Sequence, residues 1–205
     1  MQTLELINCG GIPYLEAAEK QIINPLERNI SSFLPPIMNT TPYQVVSLQE
    51  TAKFIIEEPY LKKATQIYRD LPDEKKDRFK KYKFPYVLFQ GIFTKRQNDA
   101  LIRPSNLIVL DIDKLGGAEC MKEQIAQNPI LSKIVVMAFV SPSNYGLKVV
   151  IKNPFGLRYH EQLYNEVGRF LLDTTLNSTE LLDTSCVDVS RACFLCSDKN
   201  IFINF

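Results

Sequence analysis

The hydrophobic and polar positions of the chain follow a helical period from Ser47 onward. Ser47 is followed three residues later by Glu50, the capping-box signature of a helix start, and apolar residues recur at helical spacing through Ile55. Pro59 predicts the end of that helix. We expect a second helix to run to about Asp70 and a third, short and basic helix to follow it.

After residue 83 the pattern changes to short apolar runs, which are typical of strands. The predicted strands are 86–89, 107–110, 134–140, 147–152, 192–196 and 201–205, and the predicted helices between them are 118–127 and 159–173. This order predicts an α+β fold in which a sheet has flanking helices. Upstream, 14–23 is expected to form one amphipathic helix. We therefore predict an N-terminal extension over residues 1–44 and a main domain over residues 45–205.

The composition of the chain narrows the function classes. The chain has 205 residues, 45% of them hydrophobic and 23% charged, with a net charge of +1, so a polyanionic partner would have to be met by a local patch. No run approaches the ~18 apolar residues of a membrane span, and the N-terminus lacks the features of a signal peptide. Five irregularly spaced cysteines suit reduced thiols. These features predict a soluble, cytoplasmic protein with no membrane partner.

Two aspartates stand one residue apart at the end of the apolar run S-N-L-I-V-L-D-I-D (105–113). Residues i and i+2 of a strand share a face, so Asp111 and Asp113 are expected to point the same way, with Cα atoms about 6–7 Å apart. Carboxylates this close repel each other, and partial burial strengthens the repulsion. A hard divalent cation between them, Mg²⁺ or Mn²⁺, is the functional interpretation. The structural interpretation is that both aspartates are solvated and cap the following turn.

The segment F-V-S-P-S-N-Y-G-L-K (139–148) predicts a strand, a tight turn and the start of another strand. The hydroxyls of Ser141 and Ser143, with the backbone N–H groups around Gly146, would form a concavity that suits phosphate oxygens. Lys148 follows in the outgoing strand, where its ammonium could reach a triphosphate. The alternative is an ordinary hairpin turn with a surface lysine.

A third acidic position, Asp188, precedes the predicted strand 192–196, and Arg191 follows three residues later. A carboxylate from another part of the sheet would complete a two-metal clamp of the kind used in phosphoryl or nucleotidyl transfer. Arg191 could steer a phosphate or hold the carboxylate. A surface Asp–Arg pair, which contributes little to stability, is the alternative.

In this order, the D-x-D strand, the S-x-S-x-x-G-x-K turn and the D-x-S-R segment resemble the archaeo-eukaryotic primase (primase–polymerase) superfamily. The chain looks most like the VirE-type N-terminal domain of Bacteroides-type mobile-element proteins. The lead-in K-F-P-Y-V-L-F-Q-G-I-F-T-K-R (83–96) is similar to that group as well, and the resemblance covers roughly residues 45–205. It implies an RRM-like mixed or antiparallel sheet with flanking helices, preceded by a helical N-terminal segment.

The resemblance also implies template-directed nucleotidyl transfer, as a DNA or RNA primase–polymerase, in the replication of a mobile element. The implied ligands of Mg²⁺ or Mn²⁺, which are also the implied catalytic residues, are Asp111, Asp113 and Asp188. The implied or candidate nucleotide-binding residues are Ser141, Ser143, Gly146, Lys148 and Arg191. The expected partners are nucleoside triphosphates, a single-stranded template and, because the chain ends on an apolar strand, a helicase-type domain or protein downstream.

The turn departs from the pattern of that superfamily in two places. Many primase–polymerases have histidine where Lys148 stands, and the turn reads S-N-Y-G where S-G-x-G is usual. Asn144 tolerates left-handed backbone, so we expect the turn to form. Tyr145 adds bulk near the phosphate site.

A basic run interleaved with Phe79 and Tyr82 could grip a nucleic acid backbone, although such runs are usually solvated faces. The candidates for nucleic acid binding are Lys80, Lys81, Lys83, Lys95 and Arg96. Zinc bound by Cys193 and Cys196, with Cys186 and His160, is disfavoured because residues i and i+3 of a strand face opposite sides.

Two other functions remain open. One is a primase-like domain that has lost catalysis and serves as a nucleic-acid-binding or assembly module of a larger replication protein. The other, more remote, is a haloacid-dehalogenase-like phosphatase, whose first motif also ends in D-x-D. In that class glycine and threonine normally follow the second aspartate, whereas here Lys114 and Leu115 follow.

Overall fold

The computed structural model of the protein describes residues 7–9, 11–176 and 181–205. Over these residues it contains seven α-helices, which are Tyr14–Lys20 (α1), Leu48–Glu57 (α2), Pro59–Asp70 (α3), Asp73–Lys83 (α4), Ala118–Gln127 (α5), Leu131–Ile134 (α6) and His160–Leu176 (α7). The strands are Asn8–Cys9 (β1), Ile12–Pro13 (β2), Asn29–Phe33 (β3), Gln44–Ser47 (β4), Tyr86–Leu88 (β5), Gly91–Phe93 (β6), Leu101–Pro104 (β7), Leu107–Ile112 (β8), Val135–Val140 (β9), Leu147–Lys152 (β10), Cys193–Phe194 (β11) and Phe202–Ile203 (β12). The predicted α+β class is confirmed.

The central sheet has the strand order β12-β9-β10-β8, and each neighbouring pair is antiparallel. Its strands are apolar along most of their length because both faces are covered. One face packs against α1, α5, α6 and α7, and this core includes Tyr14, Met121, Leu163 and Ile112. This sheet carries the D-x-D strand and the strand that follows the predicted phosphate turn.

A second four-stranded sheet, of order β11-β5-β3-β4, lies on the other side, where the sequence pattern predicts only one sheet. Its side chains and those of α2 and α3 pack with Leu107, Val109 and Phe139 of the central sheet in a second core. Strand β3 falls within the predicted extension 1–44, and its Ile30 is fully buried. Its N-I-S-S-F sequence carries no strong strand period, so this strand was not predicted. The proposed division at residue 45 stays a prediction.

Local signals explain most of the element boundaries. The backbone N–H of Glu50 donates to Ser47 Oγ (3.1 Å) and the Ser47 N–H donates to the Glu50 carboxylate (2.7 Å), which confirms the capping box. Pro59 begins α3, as expected from its preference for the first helical turn. None of the helices in the described residues is both long and apolar enough to cross a membrane.

Some predicted elements are too long. Helix α1 ends at Lys20 and not at residue 23, because Ile23 packs in the second core while Tyr14 and Ala18 pack in the first. The strand predicted over 192–196 is paired only at Cys193–Phe194, and the last strand only at Phe202–Ile203. Leu195 and Cys196 are buried without strand pairing, whereas Ile203 and Phe205 in the last segment are exposed.

Candidate metal and nucleotide site

Asp111 lies near the end of β8, on the face that looks toward the second sheet. It shares this face with Leu107 and Val109, which pack in the second core. The register of β8 with β10 places Lys148 directly opposite Asp111. Asp113 follows the end of β8, and both aspartates line the same cleft.

A segment from a distant part of the chain adds a second carboxylate beside Asp111. Leu182 forms an antiparallel bridge with Ile112, the Asp183 N–H donates to the Asp111 carbonyl oxygen (3.0 Å), and the Asp113 N–H donates to Leu181 O (3.1 Å). Facing residues of an antiparallel pair share a side, so this pairing brings Asp183 next to Asp111. Asp183 was not predicted as a site residue, because this bridge cannot be read from local periodicity.

The ligand atoms of Asp111, Asp183 and Cys186 all lie within 4.8 Å of one another. Cys186 Sγ donates to Asp183 Oδ2 at 2.8 Å and lies 3.5 Å from Asp111 Oδ2. The only local signal for Asp183 is its capping role, since it accepts a hydrogen bond from Ser185 N at the start of a short 3₁₀ turn.

Tyr164 of α7 fastens both backbone segments at this point. Its buried hydroxyl donates to Asp183 O (2.7 Å) and accepts from the Asp111 N–H (3.4 Å). The residue therefore ties the helix layer to both acidic positions. Sequence reasoning placed 159–173 on a helix but did not identify this contact.

Asp188 lies in the irregular segment before β11 and is exposed. It lines the same cleft as Asp111, but it is not part of the group of close ligand atoms. Its segment is anchored to Asn98, whose Oδ1 accepts from Ser190 N (3.0 Å) and Ser190 Oγ (2.7 Å). The role predicted for Asp188 as a metal ligand stays a prediction, and the geometry offers Asp183 as a closer third carboxylate.

Lys148 forms an ion pair with Asp111 Oδ1. Only 12% of the lysine side chain and 19% of the aspartate side chain are exposed, so the pair is largely shielded from water. Burial alone would lower the pKa of the Lys148 ammonium, but the Asp111 carboxylate outweighs it and raises this pKa. The ammonium that was expected to reach a triphosphate therefore contacts a carboxylate, because the strand register places the two side chains face to face.

The predicted phosphate turn forms between β9 and β10. Ser141 N donates to Gly146 O (2.7 Å), and Asn144 takes the left-handed backbone (φ 67°) that was expected of it. The hydroxyls of Ser141 and Ser143 are 3.0 Å apart, and both residues line the cleft. Their hydroxyl groups are thus placed at the edge of the acidic site.

Gly146 has a packing role that the motif alone does not reveal. A Cβ atom at this position would lie 2.8 Å from the Ile112 carbonyl oxygen and 3.0 Å from Asp113 Oδ1. Only glycine lets the turn approach the end of β8 this closely. The Leu115 N–H also donates to Tyr145 O (2.7 Å), which fastens the loop after the D-x-D strand to the turn.

The acidic residues and the 141–148 turn line one cleft of about 480 Å³, a volume within the range of small-molecule sites. Its acidic side chains are Asp77, Asp111, Asp113, Asp183 and Asp188, and its basic side chains are Lys80, Lys81, Arg96, Lys148 and Arg191, of which Asp77 and Lys81 pair with each other at 2.7 Å. Lys80 Nζ lies 5.7 Å from the ring centroid of Phe194, and the Arg96 guanidinium lies 5.4 Å from that of Tyr86. Lys83 and Lys95 do not line the cleft.

The carboxylates of the cleft differ in their protonation behaviour. Burial and the neighbouring Asp111 charge raise the pKa of Asp113, and Lys148 opposes this only in part. Burial would also raise the pKa of Asp183, but hydrogen bonds from Cys186 and Ser185 lower it overall. Carboxylate oxygens are the hard ligands that Mg²⁺ and Mn²⁺ prefer, so the donor set fits such a cation. The Lys148 ammonium competes for one of its oxygens.

Cys193 and Cys196 do not lie in a metal-binding group of the described residues. Cys193 and Cys196 are buried, and burial raises the pKa of each thiol to about 12, which disfavours the thiolate that binds metal. Among the described residues, neither belongs to a group of three potential ligands, and Cys196 Sγ donates to Val140 O (3.0 Å). Cys186, considered as their partner, lies with Asp111 and Asp183.

The fold and the cleft define an α+β domain with an acidic site at the edge of its central sheet. The family model of the BT4734-like N-terminal domain matches residues 79–202, and the chain belongs to this family. The match includes β8, β10 and the segment that carries Asp183. No curated protein and no solved structure matches the chain.

Proposed function

We propose that this protein is a template-directed nucleotidyltransferase of the primase–polymerase type that acts in the replication of a mobile element. The observation that carries the proposal is the convergence of three separate sequence motifs on one cleft. The D-x-D strand, the 141–148 turn and the 188–191 segment are far apart along the chain, yet residues of all three line the same space. Solvated surface motifs with unrelated roles would have no reason to meet.

The carboxylates would hold Mg²⁺ or Mn²⁺ at the end of β8. Asp111 and Asp183 supply the closest pair of oxygen ligands, and Asp113 and Asp188 extend the acidic surface around them. A cation bound here would neutralise charge on the α-phosphate and lower the pKa of the attacking hydroxyl group. Tyr164 orients the backbone on both sides of this site.

The 141–148 turn would bind the triphosphate of the incoming nucleotide. Ser141 and Ser143 line the cleft with hydroxyl groups, and Lys148 lines it with an ammonium. Arg191 lines the cleft as well, with its guanidinium 3.9 Å from Asp183 Oδ2 and about two-fifths of its side chain exposed (39%). An exposed guanidinium can bind a phosphate oxygen without leaving the cleft.

A single-stranded template would follow the basic wall formed by Lys80, Lys81 and Arg96. These side chains come from α4 and from the loop after β6, and they line the same cleft as the acidic residues. Phosphate contacts from Lys and Arg supply affinity without sequence preference, as template binding requires. Lys83 and Lys95 lie outside the cleft and are assigned no part in this path. A helicase-type partner stays a prediction.

One observation favours a second candidate, a primase-like module without catalysis. Lys148 already neutralises one oxygen of the Asp111 carboxylate, which weakens its attraction for a metal. In that case the cleft would bind nucleic acid through its basic wall, and the carboxylates would serve only the fold. The two candidates differ in whether divalent metal binds and whether a primer is extended.

Primer synthesis and extension with Mn²⁺ test the proposal. The wild type is compared with Asp111→Asn/Asp113→Asn, which keeps the side-chain shape, and with Glu123→Gln, which removes an exposed carboxylate from α5. The proposal predicts extension by the wild type and by Glu123→Gln, and loss of extension in the double variant. Nucleic acid binding without extension under either metal supports the inactive module. Phosphate release from a simple monoester, lost in the double variant, would instead indicate a phosphatase.

A further inference from the structure

Lys148 and the proposed metal compete for the Asp111 carboxylate. The ammonium contacts Asp111 Oδ1, the carboxylate whose position at the end of β8 makes it central to the acidic cluster. The other oxygen of this carboxylate, Oδ2, lies 3.5 Å from Cys186 Sγ in the close ligand group, and a divalent cation bound there would lie beside the ammonium, whose charge of the same sign repels it. Movement of the lysine side chain away from Asp111 would therefore strengthen metal binding.

The surroundings of Lys148 give its ammonium another place to go. Its four-carbon stem is flexible and its charge is a compact point that is not restricted to one geometry. The residue lines the same cleft as Ser141 and Ser143. A triphosphate bound at that turn would present several anionic oxygens to the ammonium, whereas the turn by itself presents only hydroxyl groups.

We infer that Lys148 is an internal counter-ion that occupies the metal-binding carboxylate until a nucleoside triphosphate draws its ammonium away, so that nucleotide and metal bind cooperatively. The inference rests on the proposed function and adds an order of events to it. In the absence of nucleotide, the acidic cluster is neutralised by the protein itself and binds metal weakly. With nucleotide bound, Asp111 Oδ1 becomes free and metal affinity rises.

Thermodynamic linkage between nucleotide binding and metal binding gives the expected size of the effect. If nucleotide raises metal affinity, metal must raise nucleotide affinity by the same factor, and such factors are typically about 5- to 150-fold. Removal of the ammonium should therefore strengthen metal binding in the absence of nucleotide. A purely structural ion pair predicts the opposite, because its loss would only disturb the position of Asp111.

Binding of Mn²⁺ alone, followed by electron paramagnetic resonance, tests the inference. The variants are Lys148→Met, which keeps the stem without the charge, Lys148→Arg, which keeps the charge, and Asp111→Asn, which removes the contested ligand. Without nucleotide we expect Lys148→Met to bind Mn²⁺ roughly tenfold or more tightly than the wild type. Lys148→Arg should bind as weakly as the wild type. Thermal unfolding of each variant verifies that it folds, and Lys148→Gln replaces Lys148→Met if it does not.

A second measurement adds a non-hydrolysable nucleoside triphosphate while free Mn²⁺ is buffered at one concentration. The affinity of the wild type for Mn²⁺ should then rise by a larger factor than that of Lys148→Met, because the triphosphate oxygens add metal ligands in both proteins but only the wild type has an ammonium to move. Without nucleotide, Mn²⁺ binding by Lys148→Met that is equal to or weaker than that of the wild type overturns the inference. If Asp111→Asn abolishes Mn²⁺ binding in the same experiment, the metal site of the proposed function still stands. Absence of Mn²⁺ binding from all forms, with and without nucleotide, overturns the proposed function itself.

Discussion

The backbone N–H of Asp183 donates a 3.0 Å hydrogen bond to the carbonyl oxygen of Asp111, and this bond joins two acidic positions that are 72 residues apart in the chain. Together with the bridge between Leu182 and Ile112, this bond pairs a short segment with the outer edge of β8. The carboxylates of the two residues are thereby placed on the same side, next to the Cys186 thiol. A short irregular segment thus supplies the third carboxylate that the sequence motifs assigned to Asp188.

Asp183→Asn is expected to weaken Mn²⁺ binding in the presence of nucleotide by roughly 100-fold or more, since loss of residues that only support ligands already costs about 10- to 100-fold. Asp188→Asn, at an exposed position outside the close group, should weaken it less. Metal titration and primer extension of the two variants, measured side by side, separate their roles. A larger loss of Mn²⁺ binding in Asp188→Asn than in Asp183→Asn would support Asp188 as the third metal ligand, as the sequence motif predicts.

Neutralisation of the basic wall should weaken nucleic acid binding without affecting the fold. Lys80→Ala/Arg96→Ala removes two cations that line the cleft, and removal of each phosphate-binding cation should reduce the salt dependence of single-strand binding by about 0.7 in log–log slope. Lys63→Ala, on the exposed side of α3, is the matched control. An unchanged slope in the double variant would exclude this wall as the path of the strand.

The sequence predicted best what depends on local pattern. Helix α5 and strand β10 have the predicted bounds, and the capping box at Ser47 forms as expected, because caps and periodicity act within a few residues. Asn144 likewise takes its left-handed backbone from the needs of one turn. All of these features can be read from a short window.

Features that depend on pairing between distant segments were not predicted. Strand β3 has a polar centre and becomes a strand because β4 and β5 pair with it on both edges. The ion pair of Lys148 with Asp111 follows from the register of β10 on β8, and Asp183 reaches the site through a single bridge. Motifs identified which residues would meet in the cleft, but only the sheet registers decide which of them touch.

Gly146→Ala is expected to destabilise the protein by about 1–3 kcal/mol, since the added Cβ would press against the backbone of Ile112 and overpacking against rigid atoms has costs of this size. Gly116→Ala in the nearby loop is the control, because no atom lies within 4 Å of the Cβ it would add. Urea unfolding measures both free energies. Equal values for the two variants would show that the turn can shift away from β8.

Asp198→Ala should destabilise the protein by roughly 1–3 kcal/mol, because it leaves the buried Val140 N–H without its acceptor and removes one of the two carboxylates that contact the buried Lys122 ammonium, which keeps Glu119 at 2.9 Å. Lys122 Nζ lies 2.6 Å from Asp198 Oδ2, with 4% and 2% of the two side chains exposed, and the same oxygen accepts from Val140 N (2.9 Å). Glu19→Ala breaks an exposed pair with Lys133 and should have an effect below about 1 kcal/mol. Similar losses in both variants would mean that burial does not decide the strength of the pair.

The single histidine of the chain should make the folded state less stable in mild acid. His160 is buried, and neither ring nitrogen makes a well-formed hydrogen bond to the described residues. Burial lowers the pKa of His160 below its usual 6.5, and the Val187 backbone and the Asp188 carboxylate oppose this only in part. Below pH 6.5 the unfolded chain therefore binds a proton that the folded chain does not, so the free energy of unfolding should fall as the pH falls.

The histidine C–H resonances in an NMR titration report this site alone, because the chain has no second histidine. They should titrate below pH 6.5 in the folded protein, and the free energy of unfolding should decrease between about pH 7.5 and pH 5.5, the range in which an ordinary histidine gains its proton. His160→Gln removes the titrating group, so it should show a smaller decrease over the same range. If the folded-state pKa of His160 were above 6.5, protonation would stabilise the fold, and the free energy of unfolding would rise as the pH falls. That result would indicate that the Asp188 carboxylate outweighs burial at this position.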